Sequence, residues 1–157
     1  MTTDQAIIDR NLAAARRFVE GVLGGADPNA FGELVHPDVI VETGLKPIGL
    51  IQGASEYGTV LGTTLGAAFA NGSMKIEQIA PLVDGRVVLV FEAQADNVGD
   101  LNGVPATHQR FTFREIHLMR FDDTGRLVEN VVGGLNPLMY EMWQAPVMAP
   151  ALLGQQA

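Results

Sequence analysis

Between Asp4 and about Gly24, apolar residues fall at positions 7, 8, 12, 15, 18, 19, 22 and 23, the spacing of one helix face. Gly24-Gly25 supplies a stop, so a first amphipathic helix is predicted. Asp27-Pro28 opens a second, shorter helix through Leu34-Val35, ended by Pro37, and VIVET (39–43) reads as a short strand. Helical period returns from Ala54 to Ala70, where Gly58, Gly62 and Gly66 stand four apart on one face and are expected to let another element pack closely. After Asn71-Gly72 the pattern changes to strands. MKIEQIAPLV, RVVLVFEAQAD, TFREIHLMRFDD and RLVENVVGG are rich in Val, Ile and Phe, with turn signals at Asp84-Gly85 and Asp123-Thr124-Gly125. Three helices followed by an antiparallel meander is an α+β pattern. The closing stretch, residues 141–157, is apolar but broken by Pro146 and Pro150, which rules out a long helix. Its Trp143, Val147, Met148 and Leu152 are expected to bury against their own domain or a second subunit.

Composition narrows the function classes. At 157 residues and 47% hydrophobic, the chain holds one well-buried core, so residues 1–157 are read as a single domain. A formal charge of -8 repels a phosphate backbone and an anionic membrane surface, so neither nucleic acid nor membrane is an expected partner. The absence of cysteine excludes a disulfide framework, a thiolate zinc site and a thiol nucleophile. MTTDQAIIDR carries no secretory pattern, and no apolar run approaches the ~18 residues of a membrane span, so a soluble, cytoplasmic protein is expected. His36, His108 and His117 show no metal-ligand spacing. With no nucleotide-type glycine loop and no nucleophile elbow either, no metal and no cofactor are expected.

The octapeptide REIHLMRF (114–121) concentrates the chemistry. Strand alternation places Phe111, Phe113, Glu115, His117, Met119 and Phe121 on one face. Imidazole can donate, accept or relay a proton near neutral pH. His117 is therefore either a core histidine satisfied by hydrogen bonds or a group working in a pocket. Glu92, inside VVLVFEAQAD, is costly to bury without a partner, so it either pairs with His117 or faces a ligand. Glu115 is read as a rim or interface charge, and Asp96 as a turn residue, with pocket roles as their alternatives.

Residues 85–130 carry Gly103-Val104-Pro105, Thr112, Arg120-Phe121, Gly125 and Val128-Glu129, and VHPDVIVE stands at 35–42. With these pieces in this order the chain resembles the SnoaL-like polyketide cyclases of the nuclear transport factor two superfamily. The resemblance implies a cystatin-like cone, a curved antiparallel sheet wrapped around three N-terminal helices with an internal pocket for a small apolar organic ligand, and a homodimer. It points Val88, Val90, Glu92, Gln94 and Asp96 into the cone, together with Asn130, Val132 and Gly134. It also exposes substitutions: the place of the cyclase aspartate, used by limonene-epoxide hydrolases too, falls on Val132. The ketosteroid isomerase base falls on Thr43 and its tyrosine donor on Phe18. His117 occupies a family position that often carries a histidine or aspartate.

The resulting expectation is a cofactor-free acid–base cyclase or isomerase acting on an apolar, oxygenated, polyketide- or steroid-like substrate. His117 and Glu92 would be catalytic, with Asn130, Tyr57, Gln94, Val90, Phe113, Met119, Val132 and Phe18 binding substrate. The alternatives are an altered epoxide hydrolase and a non-catalytic binding or scaffolding protein.

Overall fold

The Asp4 carboxylate caps the first helix by accepting from the Ala6 amide at 2.9 Å, and the last turn carries Arg16 and Arg17, which suit the negative end of the helix dipole. A computed structural model describes residues 4–136 and 143–154. Helix α1 (Gln5–Arg17) runs on as a π-helical segment, Phe18–Leu23. Arg17 then binds Asp27 at 2.7 Å and Glu33 at 2.6 Å, which seats α2 (Ala30–Leu34) against the end of the first helix. Gly21 is needed there, since a Cβ on it would stand 3.0 Å from that of Ala30. The third helical stretch comprises α3 (Ala54–Thr59), a second π-helical segment (Val60–Leu65) and the short α4 (Gly66–Ala68). Its glycines do not form the expected packing seam. A side chain at Gly62 would meet nothing within 4 Å, and one at Gly58 would make ordinary contact with Phe31 at 3.6 Å.

The strands are β1 (Val35–Glu42), β2 (Ile51–Gln52), β3 (Phe69–Pro81), β4 (Val87–Asn97), β5 (Arg110–Phe121) and β6 (Leu127–Gly134). They form one six-stranded curved sheet in the order β2-β1-β6-β5-β4-β3. The meander β3 to β6 is antiparallel as expected, and β1, separated from β6 in sequence by β2, the third helical stretch and the other meander strands, joins it parallel to β6. The turn glycines Gly85 and Gly125 both have φ of 85°, a conformation costly for any side chain. The α+β class and the helices-then-meander order are therefore those read from the pattern. Among the described residues, no helix is long and apolar enough to cross a membrane.

The register fixes which side chains look inward. Across β4, β5 and β6, Leu89 lies beside His117 and Val132, Phe91 beside Glu115 and Gly134, and Val87 beside Met119 and Asn130. Burial on β4 alternates so that Val87, Leu89, Phe91, Ala93 and Ala95 are buried and the residues between them are not. The inward face of β4 is therefore the odd-numbered one. This corrects the expectation that Val88, Val90, Glu92, Gln94 and Asp96 point into the cone.

The expected tail is described from Trp143 to Gly154, and its other residues lie outside the described set. Trp143 is buried, with ring centroids 5.5 Å from each of Phe69, Phe111 and Phe113. Helix α5 (Ala145–Leu152) follows it. Leu152 is 75% exposed, so the expectation that it buries fails, since anchoring is concentrated at the N-terminal end of the segment. Beside Trp143, Gln144 lies against Gly44, where a Cβ would fall 1.4 Å from the Gln144 amide nitrogen. The bare glycine lets the tail lie over the end of β1.

Candidate active site

Inside the curved sheet lies a cavity of about 370 Å³, in the range of small-molecule sites. The odd face of β4 and β5 makes one wall with Phe91, Ala93, Phe113, Glu115 and His117, and Val132 and the glycines of β6 continue it. Ala93 and Ala95 are the reason for the space: two small residues stand where the neighbouring inward positions carry Phe91 and Leu89. The opposite side comes from the helices, where Val22, Leu23, Leu61 and Leu65 belong to the two π-helical segments. Wider turns of this kind are frequent at functional sites. Thr43, Gly44, Leu45 and Gln144 border it as well, so the tail contributes to the enclosure.

One chain of polar contacts crosses this apolar surround. His117, 2% exposed, has Nε2 at 3.3 Å from Glu115 Oε2 and Nδ1 at 3.1 Å from Asn130 Nδ2. The same Asn130 nitrogen donates to the Tyr57 hydroxyl at 3.2 Å. Phe91 packs on the imidazole at 5.3 Å, and Phe18 stacks on the Tyr57 ring at 6.1 Å. Burial pushes the Tyr57 phenol well above its ordinary pKa, against the hydrogen bond from Asn130, and the Glu115 charge adds to the rise. Tyr57 therefore keeps its proton and remains a hydrogen-bond donor across the physiological range.

The expected residues divide into three groups. His117, Tyr57, Phe113 and Val132 line the cavity, and Gln94 borders it beside Gly72 and Ser73. Asn130, Met119 and Phe18 are fully buried outside the lining: Asn130 bridges Tyr57 and His117, Met119 lies in the row with Val87, and Phe18 supports Tyr57. Val90 and Glu92 are on the outer face of β4, with Glu92 between its cross-strand neighbours Lys75 and Arg114. Asp96, also outward, binds Asn71 at 2.9 Å and Arg110 at 3.0 Å. Glu92 therefore cannot pair with His117; Glu115, read as a rim charge, does so.

Sequence reasoning missed Glu115 as the partner, and Phe91 and Ala93 as cavity wall. The signal was present, because Glu92, Gln94 and Asp96 share one parity and alternation alone assigns three polar residues to the solvent face. Phe69 and Met74 of β3 also line the cavity, and no motif in the sequence marks them.

The chain matches the family model of the SnoaL-like polyketide cyclases over residues 13–132. No curated protein is matched by its sequence. Among solved structures, it is similar to a protein from Jannaschia sp. CCS1 provisionally named a SnoaL-like polyketide cyclase, with TM-score 0.74, 16% identity, and 93% of this chain and 99% of that one covered. IdmH from Streptomyces antibioticus, provisionally named a polyketide cyclase, gives TM-score 0.66 at 19% identity, covering 84% and 96%. A protein of unknown function with a cystatin-like fold from Xanthomonas campestris gives TM-score 0.63 at 20% identity, covering 85% and 97%. At these identities the structural likeness is one of fold. With the family model spanning most of its length, the chain belongs to the SnoaL-like polyketide cyclase family.

Proposed function

We propose that the cavity is a general acid–base site for a neutral, largely apolar carbonyl compound. The observation that carries this is the polar chain Glu115–His117–Asn130–Tyr57 in and behind the wall of a largely apolar hollow. Glu115 is the base: its side chain is 19% exposed, borders the cavity, and is held by His117. It takes the role that the sequence pointed to at Glu92, and it stands where the family's usual aspartate place, Val132, offers no acid. Among the described lining residues Glu115 is the one formal charge and none is Lys or Arg, so an anionic ligand meets repulsion with no compensating cation.

The chemistry balances without an external reagent. Glu115 removes a proton from the carbon next to a carbonyl; the C–H electron pair moves to the oxygen as an enolate, which receives the Tyr57 O–H hydrogen bond. In a cyclase the enolate carbon attacks a second carbonyl of the same molecule, a C–C bond forms, and the new alkoxide recovers the proton from Glu115. Family membership favours this direction. In an isomerase the proton would instead return to another carbon. The epoxide-hydrolase alternative loses ground because the aspartate it needs is absent at Val132, and a non-catalytic binding protein remains as the second reading for the same reason.

Solvent deuterium exchange at the α-carbons of 2-tetralone, followed by proton NMR, tests the assignment without knowledge of the natural substrate. The wild type is expected to accelerate exchange, and Glu115→Gln to remove about 10²-fold or more of that rate. No acceleration by the wild type, or equal rates for the two, would leave the binding-protein reading.

A homodimer through the outer sheet face fits the same reading. There Val88, Leu118 and Val131 form one row and Val90 and Ile116 another, flanked by Glu92 with Arg114 and by the Arg120–Glu129 pair at 3.1 Å. Apolar rows inside a rim of both charges are self-complementary across a two-fold axis. Light scattering at twice the chain mass would support it, and a monomer at micromolar concentration would refute it.

A further inference from the structure

Asn130 was expected to touch substrate, yet it is fully buried behind the cavity wall, and its hydrogen bonds give it another task. An ionised carboxylate only accepts hydrogen bonds, so the imidazole nitrogen 3.3 Å from Glu115 Oε2, Nε2 of His117, must carry a proton. A neutral imidazole then has a bare lone pair on Nδ1, and the group facing that nitrogen is the Asn130 amide at 3.1 Å. Only the N–H₂ end of the amide satisfies it. The same end reaches the Tyr57 oxygen at 3.2 Å and uses an acceptor position there, which leaves the Tyr57 O–H to point at another acceptor. Among the described hydrogen bonds, none takes that proton.

With the opposite amide orientation a neutral His117 could not satisfy both of its neighbours. Asn130 Oδ1 would then draw in the Tyr57 proton and require hydrogen on Nδ1, so a neutral His117 would turn a lone pair on Nε2 toward the Glu115 carboxylate. Both hydrogen-bonding ends of the site would be reversed. The orientation present instead leaves Oδ1 buried without a partner among the described residues, a cost retained for the arrangement it enforces.

We infer that Asn130 is a positioning residue that sets the direction of every hydrogen bond in the site: by donating to both Tyr57 Oη and His117 Nδ1, it fixes His117 as the Nε2–H tautomer and Tyr57 as a donor to the ligand. This rests on the acid–base reading for its consequence, though not for its test. The groups facing the imidazole are Glu115 on its own strand, Asn130 from β6 and the Phe91 ring from β4, with Tyr57 from α3 reached through Asn130. No other titratable side chain is hydrogen-bonded to it among the described residues.

Long-range proton–nitrogen NMR of ¹⁵N-histidine-labelled protein reads the tautomer directly. At neutral pH, His117 is expected to show a pyridine-type Nδ1 and a protonated, pyrrole-type Nε2. Asn130→Asp keeps the shape and, read at a pH where the new carboxyl is ionised, can only accept, so it should place a proton on Nδ1 and lower 2-tetralone exchange by about tenfold or more. A protonated Nδ1 in the wild type, or an unchanged Nδ1 in folded Asn130→Asp, would overturn the inference. Should the tautomer appear as expected while Glu115→Gln leaves exchange unaltered, the acid–base reading fails and the role of Asn130 in ordering the hydrogen bonds stands.

Discussion

Replacing Trp143 with alanine should undock the tail and leave the sheet folded. The indole is 1% exposed and meets Phe69 and Phe111 edge-on at 5.5 Å, with interplanar angles of 85° and 88°, and Phe113 at a tilt of 46°. Truncating a buried Trp to Ala costs about 3–5 kcal/mol. Part of this is returned, because the indole N–H is buried without a partner among the described residues and such a group is itself a penalty of about 1–3 kcal/mol. A net loss of about 2 kcal/mol lowers the docked-to-undocked ratio by roughly thirtyfold. Since α5 itself contributes no buried side chain, the loss should fall on the tail. Hydrogen exchange read by mass spectrometry should show faster exchange across residues 143–154, with β4 and β5 unchanged and the melting temperature lowered by less than about 3 °C. Trp143→Phe, which drops the unpartnered N–H and keeps an aromatic ring, should stay within about 1 kcal/mol of the wild type. Unaltered tail exchange in Trp143→Ala, or a cooperative collapse of the sheet with it, would refute the view that this side chain anchors the tail over the cavity.

Charge discrimination follows from the lone Glu115 in the lining: at about 5 Å and an effective dielectric of about 20, a ligand carboxylate meets ~3 kcal/mol of repulsion, so 2-naphthoate should bind on the order of 100-fold more weakly than 2-tetralone by NMR titration. Toward acid, Asp27 is held low by its hydrogen bond with Arg17, Glu56 by the Gln52 amide and Lys46, and Asp96 by Asn71 and Arg110. Carboxyls depressed in the folded state contribute stability above their unfolded pKa near ~4, and that stability disappears as pH falls through the lower folded values. Urea midpoints should therefore be flat from about pH 5 to 7 and decline below about pH 4. Toward alkali the sign reverses, because the Tyr57 phenol is raised: its stabilisation is complete below the unfolded value near ~10 and is lost only at higher pH. Ultraviolet titration should show Tyr57 ionising only as the fold opens.

The meander was legible because turn glycines and period-two runs are local signals, and Asp84-Gly85 and Asp123-Thr124-Gly125 fall where the chain turns. Inwardness on β5 was legible for the same reason: Phe113, His117 and Met119 share a parity and are buried. On β4 the polar parity of Glu92, Gln94 and Asp96 was the better guide than an alignment by resemblance, because solvation of three polar groups outweighs any single matched position. The hydrogen-bond chain was not legible. Tyr57 and Asn130 are 73 residues apart, and their meeting depends on the crossover that puts β1 beside β6 and on the register of β6 against β5. The sequence marks Trp143 as a residue needing a partner, whereas its aromatic partners come from β3 and β5, which spacing alone does not connect.

The account turns on a ligand lying against the odd-numbered face of β4 and β5, and a crystal structure with 2-tetralone bound tests this most directly. The ketone oxygen is expected within hydrogen-bonding distance of Tyr57 Oη, with an α-carbon facing Glu115 and the ring against Phe91 and Phe113. A ketone bound instead on the outer face beside Glu92 and Arg114, or a cavity closed by its own side chains with no ketone inside, would contradict it.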